Sequence, residues 1–250
     1  MIAAGLRVGM TLPCFVDDPE IPVAVARSAE AAGLDGVFAF DHLLRVGPAG
    51  RSHALECFTL LGAVAAETSR GALGPLVARA TLRHAAVTTA SLDTLQRVSG
   101  GRVIAALGAG DCESAPEEAE LGLAPATAAD RIDALRAAVT AAHGRGYPVW
   151  VGGGALRLRE VIAGADGWNR WGGSADGFAR DAARLRSAGA ATQTLTWAGQ
   201  VVLDSLDSAA RALRAYAQAG AQWVIVAPVD SSDPMNAEMV GGVAAQLRRG

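Results

Sequence analysis

Asp41 and His42 stand side by side at the end of an apolar run, residues 36–40 (GVFAF), and they are the first residues whose types point to chemistry. Imidazole titrates near neutral pH, so His42 can donate or accept a proton beside a reacting centre. The same pair can serve structure alone, Asp41 capping the next segment and His42 filling a loop. A second candidate is Gly152-Gly153-Gly154, in the stretch PVWVGGGALRLREVIAGADGWN (residues 148–169), where an apolar run meets a short helical pattern. A helix N-terminus offers unpaired N–H groups and a positive dipole end, and glycines let the main chain approach a phosphate closely. Glycines also make tight turns, and three in a row after a strand do not separate the two readings.

Other chemistries find little support. All 22 basic residues are arginine, so Schiff-base chemistry and a phosphate-binding P-loop lysine are both excluded. The three cysteines, Cys14, Cys57 and Cys112, are far apart without CxxC spacing, which fits a reducing compartment and no disulfide framework. Cys14 and Cys57 read as small buried hydrophobes. The four histidines are scattered with no HxH or HExxH spacing, so no metal site is expected. His84 reads as structural, and Trp150 and Trp168 as core. A net charge of −3 gives no footprint for nucleic acid, and no basic stretch suggests a membrane surface. With no signal-peptide pattern and no apolar run of about 18 residues, the expected location is the cytoplasm.

The elements that must position these residues alternate from end to end. Apolar strands are expected at residues 6–12, 36–40, 73–80, 102–107, 148–151, 167–171, 195–203 and 222–227, with helical patterns between them. Asp18-Pro19 looks like a cap followed by proline at the first helical position, with Gly33 closing that helix. Helical periodicity recurs at about 55–69, 87–98, 128–142, 176–187, 208–219 and 236–248. Eight strands alternating with helices, without a composition break, predict one (β/α)₈ TIM barrel domain over residues 1–250. An open doubly wound sheet is the alternative, because closure is not visible in a sequence. In a barrel His42 falls at the catalytic, C-terminal face of the strands.

Three separated blocks, in order, resemble the luciferase-like monooxygenase family of flavin- and deazaflavin-dependent barrels. They are AEAAGLDGVFAFDHLL (29–44), GALGPLVARATLRHAAVTTASLDTLQRVSGGRVIAALGAGD (71–111) and the glycine stretch ending in ADGW. The resemblance implies an oxidoreductase that moves hydride between coenzyme F420 and a small organic substrate, with FMN as the alternative cofactor. It places the cofactor at the C-terminal ends of the strands with its phosphate over Gly152, Gly153 and Gly154. It gives Asp41 to cofactor contact and His42 to proton transfer. It puts Val77, in Leu76-Val77, at a bulged strand with a non-prolyl cis peptide behind the cofactor ring. Ala109 and Gly110 let the chain pass close to that ring. Asp111 matches a glutamate that acts as acid or base in sugar-phosphate-oxidising relatives, one methylene shorter, and an N-cap role fits it as well. Arg79 either pairs with an acidic cofactor tail or substrate, or reaches solvent. The family often forms homodimers through its early helices.

The chain also departs from the family. The insertions after strands four and seven are short here, the former a run that includes an acidic stretch at 113–120. A shallow mouth is therefore expected, which favours hydride transfer over oxygen activation, since a flavin hydroperoxide needs a dry pocket. Val46 stands where relatives often carry a bulky aromatic, so sugar-phosphate oxidation is not expected. Two other readings remain: an FMN-dependent monooxygenase or reductase, and a non-catalytic cofactor- or partner-binding barrel that has lost its substrate loops. An unrelated phosphate-binding isomerase barrel is disfavoured by the missing lysine.

Overall fold

The structure, a computed structural model, describes residues 5–47, 50–111, 114–189, 193–230 and 232–249. Cys112 and Glu113 lie outside them. The chain runs β1 (Arg7–Thr11), α1 (Glu20–Ala31), β2 (Gly36–Ala39), β3 (Leu44–Gly47), β4 (Gly50–His53), α2 (Cys57–Glu67), β5 (Ala72–Pro75) and β6 (Ala78–Arg79). It continues with α3 (Ala85–Val98), β7 (Ala105–Gly108), α4 (Ala115–Glu120), α5 (Ala128–Ala142), β8 (Val149–Gly152) and α6 (Ala155–Ala163). The last elements are β9 (Gly167–Trp171), α7 (Ala175–Ser187), β10 (Thr194–Val201), α8 (Leu206–Gln218), β11 (Trp223–Pro228) and α9 (Met235–Arg249).

Nine parallel strands follow one another in the order β5-β2-β1-β11-β10-β9-β8-β7-β6. The two ends of that order meet: Leu73 N donates to Arg102 O and Ile104 N donates to Leu73 O, tying β5 to the chain entering β7. β5 and β6 are thus one stave interrupted at Leu76-Val77, whose peptide bond is cis. The result is an eight-staved barrel, not an open sheet, and its helices alternate with the staves as the periodicity predicts.

Two apolar clusters explain the architecture. A small one fills the lumen with Phe38, Leu76, Ile104, Trp150, Trp223 and Ile225. A much larger one lies between the staves and the helices. Three large rings fit in the lumen because glycines face them: a Cβ on Gly9 or Gly36 would touch the Trp223 ring, and one on Gly167 the Trp150 ring. Gly74 is the tightest, since a Cβ there would lie 1.9 Å from the Ile104 carbonyl oxygen where the barrel closes.

Two elements were not foreseen. β3 and β4 form an antiparallel hairpin after the second stave, and the acidic run after the fourth stave folds into α4. The hairpin escaped prediction because residues 50–53 are exposed and polar, without apolar alternation. α4 packs against β3.

Candidate active site

The site is built where the second and third staves end. Asp41 and His42 follow β2, and Arg79 is the last residue of β6. The Asp41 carboxylate accepts from the Arg79 backbone N–H at 2.9 Å and from the Arg83 fork at 2.7 and 2.9 Å. Arg79 Nε donates to the Asp41 carbonyl at 3.0 Å. Arg83 also donates to Glu56 at 2.6 Å, and Glu56 caps α2 by accepting from the Thr59 backbone N–H and hydroxyl, both at 2.8 Å. Asp41 therefore ties the second stave to the third and to the start of α2.

Arg79 does not reach solvent: it is 4% exposed. Its Nη2 lies 2.9 Å from Glu117 Oε2 and its Nη1 4.0 Å from Glu118 Oε1. Neither N–H is aligned into a hydrogen bond, so both contacts are ion pairs. Glu118 is also gripped by the Arg131 fork at 2.9 and 2.7 Å. Glu117 and Glu118 come from α4 and are buried, though they lie on a six-residue helix in what the sequence shows as an acidic linker. No sequence signal separates them from solvated acids, because burial of a carboxylate depends on the guanidinium it meets.

Glu117 gathers the site. Its Oε1 accepts from the N–H groups of Leu43 at 2.6 Å and Leu44 at 3.3 Å. Its Oε2 lies 2.8 Å from His42 Nδ1. Burial pushes its pKa up, but the Leu43 N–H, His42 and Arg79 outweigh that and hold the carboxyl below the ordinary glutamate range. An ionised carboxylate only accepts, so this contact suits a protonated Nδ1. In the neutral ring Nε2 then keeps its lone pair, and the His42 side chain is 37% exposed. His42 is thus a partly open imidazole, held from behind through Nδ1.

The other predicted residues fall around the same end of the barrel. Val77 stands between the fourth and fifth staves: a Cβ on Gly108 would lie 2.3 Å, and one on Gly152 2.5 Å, from its methyls. Gly110, at φ +72°, passes close to Arg131 and to the Arg79 stem. Ala109 packs at the edge of the core. Asp111 accepts from the N–H and hydroxyl of Ser114, the residue before α4, at 3.1 and 3.2 Å, and is exposed. Gly153, at φ +132°, spends its N–H on Asn169 O at 3.1 Å. Gly154 is the N-cap of α6, without a side chain to cap it, and its Cβ direction is open space. Trp150 and Trp168 are core, and His84 caps α3 by accepting from the Ala86 N–H at 3.3 Å.

Beside this end a cavity of about 430 Å³ opens between β9, β10 and α8, lined by Trp171, Gln200, Val202 and Tyr216 among others. None of the predicted site residues lines it. Trp171 nevertheless meets Phe40 edge-on at 5.5 Å, two residues before His42.

A closed parallel barrel, with its polar network and small-residue turns at the C-terminal ends of the staves, defines the enzyme-bearing face of this fold. The chain belongs to the luciferase-like monooxygenase family, whose profile matches residues 7–245. It is 34% identical over 129 residues to an F420-dependent glucose-6-phosphate dehydrogenase of Nakamurella multipartita. That match spans 51% of this chain and 36% of the relative. Among solved structures, an F420-dependent secondary alcohol dehydrogenase in complex with an F420-acetone adduct superposes with a TM-score of 0.81, at 14% identity, covering 97% of this chain and 99% of that one. The coenzyme F420-dependent tetrahydromethanopterin reductase of Methanopyrus kandleri gives 0.72, at 15% identity and 95% and 98% coverage. An FMN-bound type II Baeyer–Villiger monooxygenase component of Pseudomonas putida gives 0.75, at 11% identity and 98% coverage of both chains. No described helix is long and apolar enough to cross a membrane.

Proposed function

We propose that the protein transfers hydride between coenzyme F420 and a small organic substrate at the C-terminal end of the barrel. The observation that carries this reading is the pairing, at one rim, of a half-exposed histidine whose Nδ1 is tied to a carboxylate with an uncapped helix N-terminus. The first suits proton transfer to a substrate and the second suits a phosphate. The relative that shares about a third of its residues over half the chain is F420-dependent, which favours the deazaflavin over FMN.

The residues present fit such a group. Gly154 leaves open space over the first turn of α6, which a side chain would fill. Val77 offers an apolar surface between two glycines. Arg79 Nη1 and Thr81 Oγ1 are buried polar atoms without a hydrogen bond, beside Gly110. In this reading Gly154 and the start of α6 hold the phosphate, Gly153 shapes the turn, and Gly152 seats Val77. Val77, Ala109 and Gly110 bound the ring, while Asp41 and Arg79 brace the stave ends from which His42 and Glu117 are presented. Bound F420 supplies a two-electron hydride carrier; His42 exchanges the accompanying proton with the substrate. Asp111 braces the turn ahead of α4 through Ser114. A homodimer through the early helices belongs to the same proposal.

Titration with F420 and with FMN, followed by fluorescence, tests it. We expect micromolar or tighter F420 binding, weakened at least about tenfold in Gly154→Asp. The aspartate would cap α6 at a permitted φ of −68° and so leave the fold intact while repelling phosphate. Tight FMN binding without F420 binding would move the assignment to a flavin enzyme. Binding of neither would leave a non-catalytic barrel.

A further inference from the structure

α4 reaches into the site with a residue that the reaction has not yet been given. Glu117 accepts from two consecutive backbone N–H groups, pairs with one guanidinium and meets one imidazole. Its neighbour Glu118 points elsewhere, to Arg131 and the far nitrogen of Arg79. Adjacent carboxylates on one short helix thus share Arg79 but differ in their other partners, and only Glu117 touches His42. A partner that merely anchored α4 would not need the ring: Leu43, Leu44 and Arg79 already hold the carboxylate.

We propose that Glu117 is the positioning residue of this site, holding His42 in the Nδ1–H tautomer so that Nε2 is the atom that exchanges a proton with the substrate. This deepens the function proposed above and rests on it for the substrate, although the tautomer itself needs no cofactor. The Leu43 and Leu44 N–H groups fix which oxygen faces which partner. They require an acceptor at the Oε1 position, so the Oε2 position alone decides what His42 meets.

That asymmetry makes the test sharp. In Glu117→Gln the two backbone N–H groups at the Oε1 place outweigh the single Arg79 guanidinium at the Oε2 place and draw the amide oxygen to Oε1, which leaves the NH₂ facing Nδ1. An amide NH₂ donates, so Nδ1 must then accept and the proton moves to Nε2. Two-bond ¹H–¹⁵N correlations on ¹⁵N-histidine-labelled protein distinguish the neutral tautomers, and the chain has only four histidines. His42 is assigned by the signal lost in His42→Gln, at a pH where the ring is neutral. We expect Nδ1–H in the native protein, Nε2–H in E117Q, and Nδ1–H in E118Q, which loosens α4 without touching the ring.

An Nε2–H tautomer in the native protein overturns the proposal, and so does an unchanged tautomer in E117Q. A flip in E118Q equal to that in E117Q would also overturn it, since the effect would then come from loosening α4. In the F420-loaded enzyme E117Q should lower kcat at least tenfold with KM changed less than about twofold. If F420 fails to bind, the tautomer result still stands or falls by itself, so the two failures are distinguishable.

Discussion

Asp41 and His42 were legible as residues: they end an apolar run, and a side chain there faces the catalytic end of a barrel. What they do was not legible, because it depends on partners 38 to 75 positions away. Glu117 and Glu118 read as solvated acids until α4 brings them to Arg79 and Arg131. Arg79 itself showed the reverse: an arginine on a strand reads as a ligand contact or a solvent-facing charge, and it is a buried hub. Removing a buried partner from such a hub leaves charge uncompensated, so Glu117→Ala should cost about 3 kcal/mol, checked by urea denaturation. The thiols make a second prediction at this scale. Burial raises Cys14 to about 11, and Cys57 is pushed well above its ordinary value, also by burial. Iodoacetamide at pH 8 should therefore leave both unmodified in the folded protein and label both in urea, as read by peptide mass spectrometry.

At the scale of elements, most of the barrel could be read from periodicity. The sixth stave and α5 fall where the pattern puts them, at Gly167–Trp171 and Ala128–Ala142. By periodicity the third stave reads as continuous over 73–80; its break at Leu76-Val77, with a cis peptide, was expected only from the family resemblance, because residue types do not encode backbone geometry. The β3–β4 hairpin and α4 carry little apolar surface of their own, so no periodic signal announces them; they are held by what they cover. Closure of the barrel was equally invisible, and it rests on one tight crossing. Gly74→Ala would drive a methyl into the Ile104 carbonyl. We expect a loss of about 3 kcal/mol or failure to fold, measured by chemical denaturation. The same change at Gly154, where space is open, should leave stability within about 0.5 kcal/mol.

For the whole molecule, the polar network at the mouth joins α2, α3's leading loop, α4 and α5 to the ends of the second and third staves. Its stability depends on acid in a defined direction. Burial opposes the charged form of Glu56 and Glu117, but Thr59 and Arg83 for the one, and Leu43, His42 and Arg79 for the other, win and lower both pKa values. A lowered folded-state pKa means that the contribution is complete above the ordinary glutamate value of about 4.3 and is lost as pH falls through the folded value. The melting temperature should therefore fall between about pH 5 and pH 3, and the gap between the native protein and E117Q should narrow over that range. Circular dichroism melts across pH would show a constant gap if Glu117 contributed nothing through its charge.

Four of the five tryptophans, Trp150, Trp168, Trp197 and Trp223, are enclosed, whereas Trp171 is 49% exposed at the end of β9 with its edge on Phe40. The protein consequently carries one solvent-accessible indole at this end of the barrel and four shielded ones. Acrylamide should quench a single accessible emitter, and a molecule settling on that rim should shield it. Occupancy of the mouth can thus be followed in the unlabelled chain, before any substrate is known.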